Sequence, residues 1–329
     1  MENAMSDYKD AILIDGLVIA RFSRALFEDM AKGGITTVHC TCSVWHDFRE
    51  TMANIAQWLE WFEVHGDIIM PVRTASDIKT AKQSGKVGVI LGWQNSSAID
   101  NDVANLRLFH QLGIRVVQLT YNTQNLVGAG CWEPTDPGLS NFGRHVVEEL
   151  NHLGMLIDLS HVGPQTSADA IAHSKAPVAY THCCPMLKQH ARNKTDDQLK
   201  AIADRGGFVG FASYTPFLPQ GADATLDDCV TAMTYMIDLV GEEAVGIGTD
   251  WVQDQDIAFF EYLTRNMGSG QPTTPIYDQV PPMPKGLETL GDFGNFIPAM
   301  ERAGWSETRI RRVLGENWLR FLGEVWRPH

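Results

Sequence analysis

Three apolar runs of the chain end on side chains that can hold a metal ion or move a proton. "GMLIDLSH" ends at His161, "APVAYTH" at His182 and "AVGIGTD" at Asp250. Two imidazole nitrogens and a carboxylate, with a position left open for water, are a donor set suited to catalytic zinc. A carboxylate so placed can also take the proton of an attacking water. Any one of these residues alone has an ordinary structural explanation. The chemistry requires all three at equivalent ends of neighbouring strands, facing one mouth.

The rest of the chain predicts such strands. Eight short apolar runs occur at residues 11–20, 35–44, 87–93, 114–121, 154–161, 176–182, 206–214 and 244–250. Most are continuously apolar rather than alternating, as in strands covered on both faces. Helical patterns lie between them. In "FGRHVVEELNHLG" the residues Val146, Val147, Leu150 and Leu153 share one face. In "TDDQLKAIADRGG" Thr195 precedes an acidic first turn, a helix-start signal. Gly154, Gly206 and Gly207 mark helix stops. Strand and helix alternating to eight strands predict an α/β fold, a (β/α)8 TIM barrel forming one domain over residues 1–329. A doubly wound open sheet is the other arrangement, but no GxGxxG follows the first run. Walker A and GxSxG patterns are also missing.

Two stretches fall outside the alternation. Residues 122–142 are rich in Gly and Asn, and residues 251–285 in Gln, Pro and Gly. Both follow strands at the barrel face where active sites are built, so both are expected to be site walls or lids. A C-terminal helix is expected at about residues 306–324.

The 40 acidic residues outnumber 26 basic ones, for a formal charge of -14. That field disfavours nucleic acid and anionic membrane surfaces as partners and leaves a small molecule. No run reaches the ~20 apolar residues of a membrane span, and no signal-peptide pattern opens the chain. The six cysteines include no CxxC spacing, so reduced thiols in a cytoplasmic protein are expected.

Five segments carry a resemblance: "GLSNFGRHVVEELNHLGMLIDLSHVG", "APVAYTHCCP", "HARNKTDDQLKAIADRGGFVGF", "VGIGTDW" and "VLGENWLRFL". In order, they resemble the signatures of the membrane (renal-type) dipeptidase family, peptidase M19, a branch of the metal-dependent amidohydrolase barrels. The resemblance implies two zinc ions. Their ligands would be an HxD pair after the first strand, a bridging Glu after the third, His after the fifth and sixth, and Asp after the eighth. His161, His182 and Asp250 match. At the altered ligand positions stand Leu17 and Ile19 for the HxD pair and Gln94 for the Glu, while Tyr121 replaces a His that contacts the reacting carbonyl. One carboxylate cannot balance two divalent ions in a buried mouth, so one zinc ion or none is expected. Gln94 offers a weak neutral ligand. As substitutes, Cys40 and Cys42 on one face of the second strand and His39 on the other read better as packing, and His46 and Asp47 as loop surface.

"HARN" resembles the family segment whose arginine grips a substrate carboxylate, which implicates Arg192 with Asn193 beside it. Arg21 is a second candidate cation in the mouth; Asn122 and Asn125 are candidate ligand contacts or turn caps. The resemblance implies a hydrolase acting on a small carboxylate-bearing amide or dipeptide. In it a metal on His161 and His182 activates water, Asp250 takes the proton, Tyr121 donates to the oxyanion and Arg192 anchors the carboxylate. A non-catalytic binding protein on the same barrel and a metal-free enzyme are the competing readings. A homodimer is implied by the resemblance only.

Overall fold

The computed structural model of the protein describes residues 7–327. Its strands, in chain order, are β1 (Ile14–Val18), β2 (Thr37–Ser43), β3 (Ile69–Pro71), β4 (Val87–Trp93), β5 (Ile114–Gln118), β6 (Leu156–Asp158), β7 (Ala179–Cys183), β8 (Phe208–Phe211) and β9 (Val245–Ile247). All pairings between them are parallel. β2 pairs with both β1 and β4, which closes β1, β2 and β4–β9 into an eight-stranded barrel with helices between the strands. The expected (β/α)8 fold is present. β3 is an addition that the sequence reading missed. Only three residues long and partly exposed, it pairs along the start of β4 and leaves no apolar run to notice.

The strands form because their residues can be buried on both faces; every residue of β1, β2 and β4 is buried. The outer helices bury one stripe each. Helix Asn141–Leu153 turns Val146, Val147 and Leu150 inward. It is capped by the Ser140 hydroxyl and ends on Gly154 in the left-handed region, φ 66°. Helix Asp196–Ala203 starts with a capping box between Thr195 and Gln198.

The helical stretch Glu307–Val325, with a π turn at Arg312–Glu316, closes the barrel's N-terminal end. Trp318 enters under the strands, packs tilted against Phe208 and donates its indole N–H to Ile247 O at 2.8 Å. Glycine makes the room. A Cβ on Gly16 would fall 2.5 Å from the Trp318 ring, and one on Gly246 2.8 Å. With the bottom closed by this side chain, the barrel opens to ligands at its C-terminal mouth.

Two buried carboxyl groups tie the strand ends that form this mouth. Asp15 on β1 accepts from Leu17 N at 3.2 Å, Thr249 N at 2.8 Å and Thr249 Oγ1 at 2.5 Å, joining β1 to the segment after β9. Asp158 on β6 accepts from Ser160 N and Oγ and from Thr181 N and Oγ1, joining β6 to β7. These ties hold the residues that carry Asp250, His161 and His182.

Candidate active site

His161 and His182 meet at the mouth. Their Nε2 atoms are 3.1 Å apart, and each ring is oriented from its other nitrogen. His161 Nδ1 lies 2.7 Å from Asn122 Oδ1, an atom that only accepts, so Nδ1 carries the proton. His182 Nδ1 lies 2.8 Å from Thr181 Oγ1, whose own hydrogen goes to Asp158 Oδ2 at 2.7 Å. Thr181 therefore accepts from His182, and here too Nδ1 is the protonated nitrogen. Both Nε2 lone pairs consequently face each other.

Two such lone pairs repel unless something positive lies between them. A shared proton is disfavoured. Burial, followed by the Arg192 charge, pushes both imidazoles well below the ordinary histidine range. A metal ion fits better, because two nitrogens ~2.0–2.1 Å from one zinc at the tetrahedral angle stand roughly 3.3 Å apart. Gln94, buried on the cleft wall, donates its amide nitrogen to Thr41 Oγ1 at 3.0 Å and leaves its oxygen uncommitted. Among the described residues, no three His, Cys, Asp or Glu side chains group closely enough to hold an ion. The donors present thus suit one ion bound by two histidines with neutral or solvent ligands, and they do not suit two.

His161 opens into a cleft that Ile19, Gln94, Tyr121, Asn122, Arg192 and Asp250 also border, and His182 lies fully buried behind it. Asp250 follows β9 with φ 61°, and its N–H donates to Leu17 O at 3.1 Å. Burial, with the Asp158 charge adding to it and Arg192 opposing, pushes its carboxyl up to about 6. Tyr121 lies flat on His161, ring centroids 4.1 Å apart, and meets Trp45 edge-on. Desolvation pushes its phenol up, so the hydroxyl stays a donor.

Arg192 is 3% exposed. It donates to the carbonyls of Ser160 and His182, its guanidinium stands over the Phe217 ring, and its Nε has no partner. None of the ion pairs among the described residues gives it a carboxylate. An uncompensated buried cation in a cleft is prepared for an anionic ligand.

Other residues singled out by sequence go elsewhere. The Asn193 amide nitrogen is spent on Lys188 O and Phe217 O, bracing the loop rather than bordering the cleft. Asn125 caps the turn at Val127 and ties the loop to Asn95 and Leu119. Asn122 borders the cleft, but its carbonyl oxygen serves His161. Arg21 is not in the mouth; it is exposed and paired with Asp256 at 2.7 Å. Leu17 is fully buried behind the wall, whereas Ile19 reaches it. His39 donates to Gly16 O inside the barrel, and Cys40 and Cys42 pack in the core. Asp47 is an exposed helix cap, while His46 is half-buried against Tyr262.

Among the wall residues that sequence reasoning missed are His190, Trp132, Tyr214, Phe217 and Tyr277. Trp132 and Tyr277 fall in the two long segments expected to build it. His190 opens the "HARN" motif itself; burial and Arg192 push it down to about 4.

An eight-stranded barrel with a histidine after β6, a second near the end of β7 and an aspartate after β9 is the architecture of the metal-dependent amidohydrolases. Residues 22–265 match the membrane dipeptidase family, peptidase family M19, and the chain belongs to it. An uncharacterised dipeptidase of Schizosaccharomyces pombe is 32% identical over 258 residues, 76% of this chain and 55% of that protein. The dipeptidase tcpJ of Claviceps purpurea is 28% identical over 282 residues, 84% of this chain and 60% of the relative. The matches therefore span little more than half the length of these relatives. Among solved structures, an amidohydrolase from Pseudomonas aeruginosa superposes with a TM-score of 0.96 at 46% identity, covering 98% of this chain and 99% of that one. No helix among the described residues is long and apolar enough to cross a membrane.

Proposed function

We propose that the protein is a metal-dependent hydrolase of a small carboxylate-bearing amide or dipeptide, using at most one zinc ion. The observation that carries this reading is the pair of tautomer-fixed Nε2 atoms of His161 and His182, 3.1 Å apart, with His161 bordering one cleft with Asp250 and the unpaired Arg192.

His161 and His182 would hold the ion, with the Gln94 oxygen as a weak third donor. When bound, zinc supplies a Lewis acid that lowers the pKa of water and polarises a carbonyl. Arg192 takes the substrate carboxylate in a two-point grip and so fixes the amide's position. Asp250 accepts the proton of the attacking water and returns it to the leaving nitrogen. The Tyr121 hydroxyl donates to the oxygen that gains negative charge as the carbonyl carbon becomes tetrahedral. Asn122 and the Thr181–Asp158 pair keep the two imidazoles facing correctly throughout.

A cytoplasmic setting agrees with six cysteines that form no disulfide among themselves. A homodimer rests on the family resemblance.

The test is the metal content of purified protein by mass spectrometry, with hydrolysis of a dipeptide panel before and after chelation. About one zinc per chain, lost in His161→Ala, with turnover lost in Asp250→Asn, is the expected result. Protein that stays metal-free after zinc loading, or an Asp250→Asn variant with full turnover, overturns the proposal.

A further inference from the structure

The cleft is chemically divided, and the division bears on what it admits. Arg192 is pinned over the ends of β6 and β7 by its bonds to the carbonyls of Ser160 and His182. In the ring of strands, β1 stands across from β6. There the wall is mostly apolar and carries no charge: Ile19 after β1, Val252 after β9, and Phe260, Leu263 and Pro275 from the long segment that follows, with Thr264 and Thr274 as neutral polar members. Phe260 and Leu263 project from helix Ile257–Thr264, which is mostly apolar over its eight residues.

Among the described residues bordering the cleft, Asp250 is the sole carboxylate. A free dipeptide brings two charges into such a site. Its carboxylate has a charged partner in Arg192, but its ammonium has Asp250 alone as a charged partner. An Asp250 committed to an ion pair with that ammonium is a poorer acceptor for the water proton. Away from Asp250, an ammonium on the side of Ile19 and Leu263 would lose hydration and find no opposite charge, only neutral groups such as Thr264 and Thr274. An acyl group without the amine meets no such conflict, and its apolar atoms are buried by the same wall.

We infer that the preferred substrate class is the N-acylated amino acid with an apolar acyl group, rather than the dipeptide with a free amino terminus. This rests on the hydrolase reading given above. In the reaction, the acyl carbon–nitrogen bond breaks and a bond from that carbon to the water oxygen forms. The water protons end on the leaving nitrogen, one of them through Asp250, giving a fatty or aryl carboxylate and the zwitterionic amino acid. No oxidant, reductant or further reactant is consumed.

A matched pair of substrates isolates the ammonium. Leucyl-alanine and 4-methylpentanoyl-alanine differ only in the presence of the α-amino group. Zinc-loaded protein is assayed for kcat/KM on both, using each enantiomer of alanine, and calorimetry gives the affinity for each compound. At least a tenfold higher kcat/KM for 4-methylpentanoyl-alanine is expected. Leu263→Asp, which supplies a counter-ion on the apolar wall, should narrow that ratio about tenfold; an unchanged ratio in a folded variant counts against the inference. Equal or faster turnover of leucyl-alanine overturns it while leaving the hydrolase reading intact. Turnover of neither compound overturns the hydrolase reading, and calorimetry then decides the preference separately. Tighter binding of the acyl compound supports the division of the cleft, and equal or tighter binding of leucyl-alanine refutes it.

Discussion

Thr181 is the residue on which the paired histidines depend most directly, and Thr181→Val is the substitution that isolates its hydroxyl. The side chain is 1% exposed, so a shape-matched replacement introduces no new solvent contact. Two hydrogen bonds are lost: the one accepted from His182 Nδ1 at 2.8 Å and the one given to Asp158 Oδ2 at 2.7 Å. Asp158 Oδ2 is 3.7 Å from His182 Nδ1, too far to take over the hydrogen bond. Leaving one buried donor unsatisfied costs about 1–3 kcal/mol, so the unfolding free energy should fall by roughly that amount. The imidazole has an alternative, which is to carry its proton on Nε2 and donate to His161 across the 3.1 Å gap. That tautomer removes one of the two lone pairs that would bind zinc. Losses of this kind lower metal affinity about 10–100-fold. Competition against a chromogenic chelator measures the affinity, and urea unfolding of metal-free protein measures the stability. Thr181→Ser keeps the hydroxyl and should restore most of the affinity. If Thr181→Val binds zinc as tightly as the parent protein, the tautomer argument is wrong.

Three further predictions concern the anchor, the base and the barrel floor. Arg192→Met should lower kcat/KM on carboxylate substrates roughly 100-fold, the equivalent of about 3 kcal/mol for a charge-assisted grip. The corresponding carboxamides should be much less affected, and an equal loss on both would reduce Arg192 to a brace for the Ser160 and His182 carbonyls. Asp250 serves as a base only when ionised, and its carboxyl is pushed up to about 6. Activity should therefore fall about tenfold per pH unit below that point; an acid limb that begins near 4 would remove Asp250 from the proton-acceptor role. Trp318→Ala empties the floor beneath Gly16 and Gly246 and deletes the bond to Ile247 O. It should cost about 3–5 kcal/mol in urea unfolding, and a loss below about 1 kcal/mol would show that the helix is not what closes the barrel.

The barrel was legible in the sequence because its cause is local. A strand covered on both faces must be apolar along its length, and such runs show whatever their neighbours are. His161, His182 and Asp250 were legible for a related reason: each interrupts an apolar run where the strand leaves the barrel. β3 was not legible, because three partly exposed residues carry no such pattern. Nor did Arg21 and Arg192 differ in any way that composition reveals. One pairs with Asp256 on the surface, and the other lies buried without a carboxylate, a difference fixed by how the loops pack.

By itself, the sequence determined the strand order along the chain, the strand-end chemistry and the loss of the HxD and glutamate carboxylates. The tertiary structure decided where the protons sit. His161 is oriented by Asn122, 39 residues away in sequence, and Asp158 reaches His182 through Thr181 on the neighbouring strand. A histidine's lone pair points where its other nitrogen's partner allows, and that partner is brought into place only when the barrel closes.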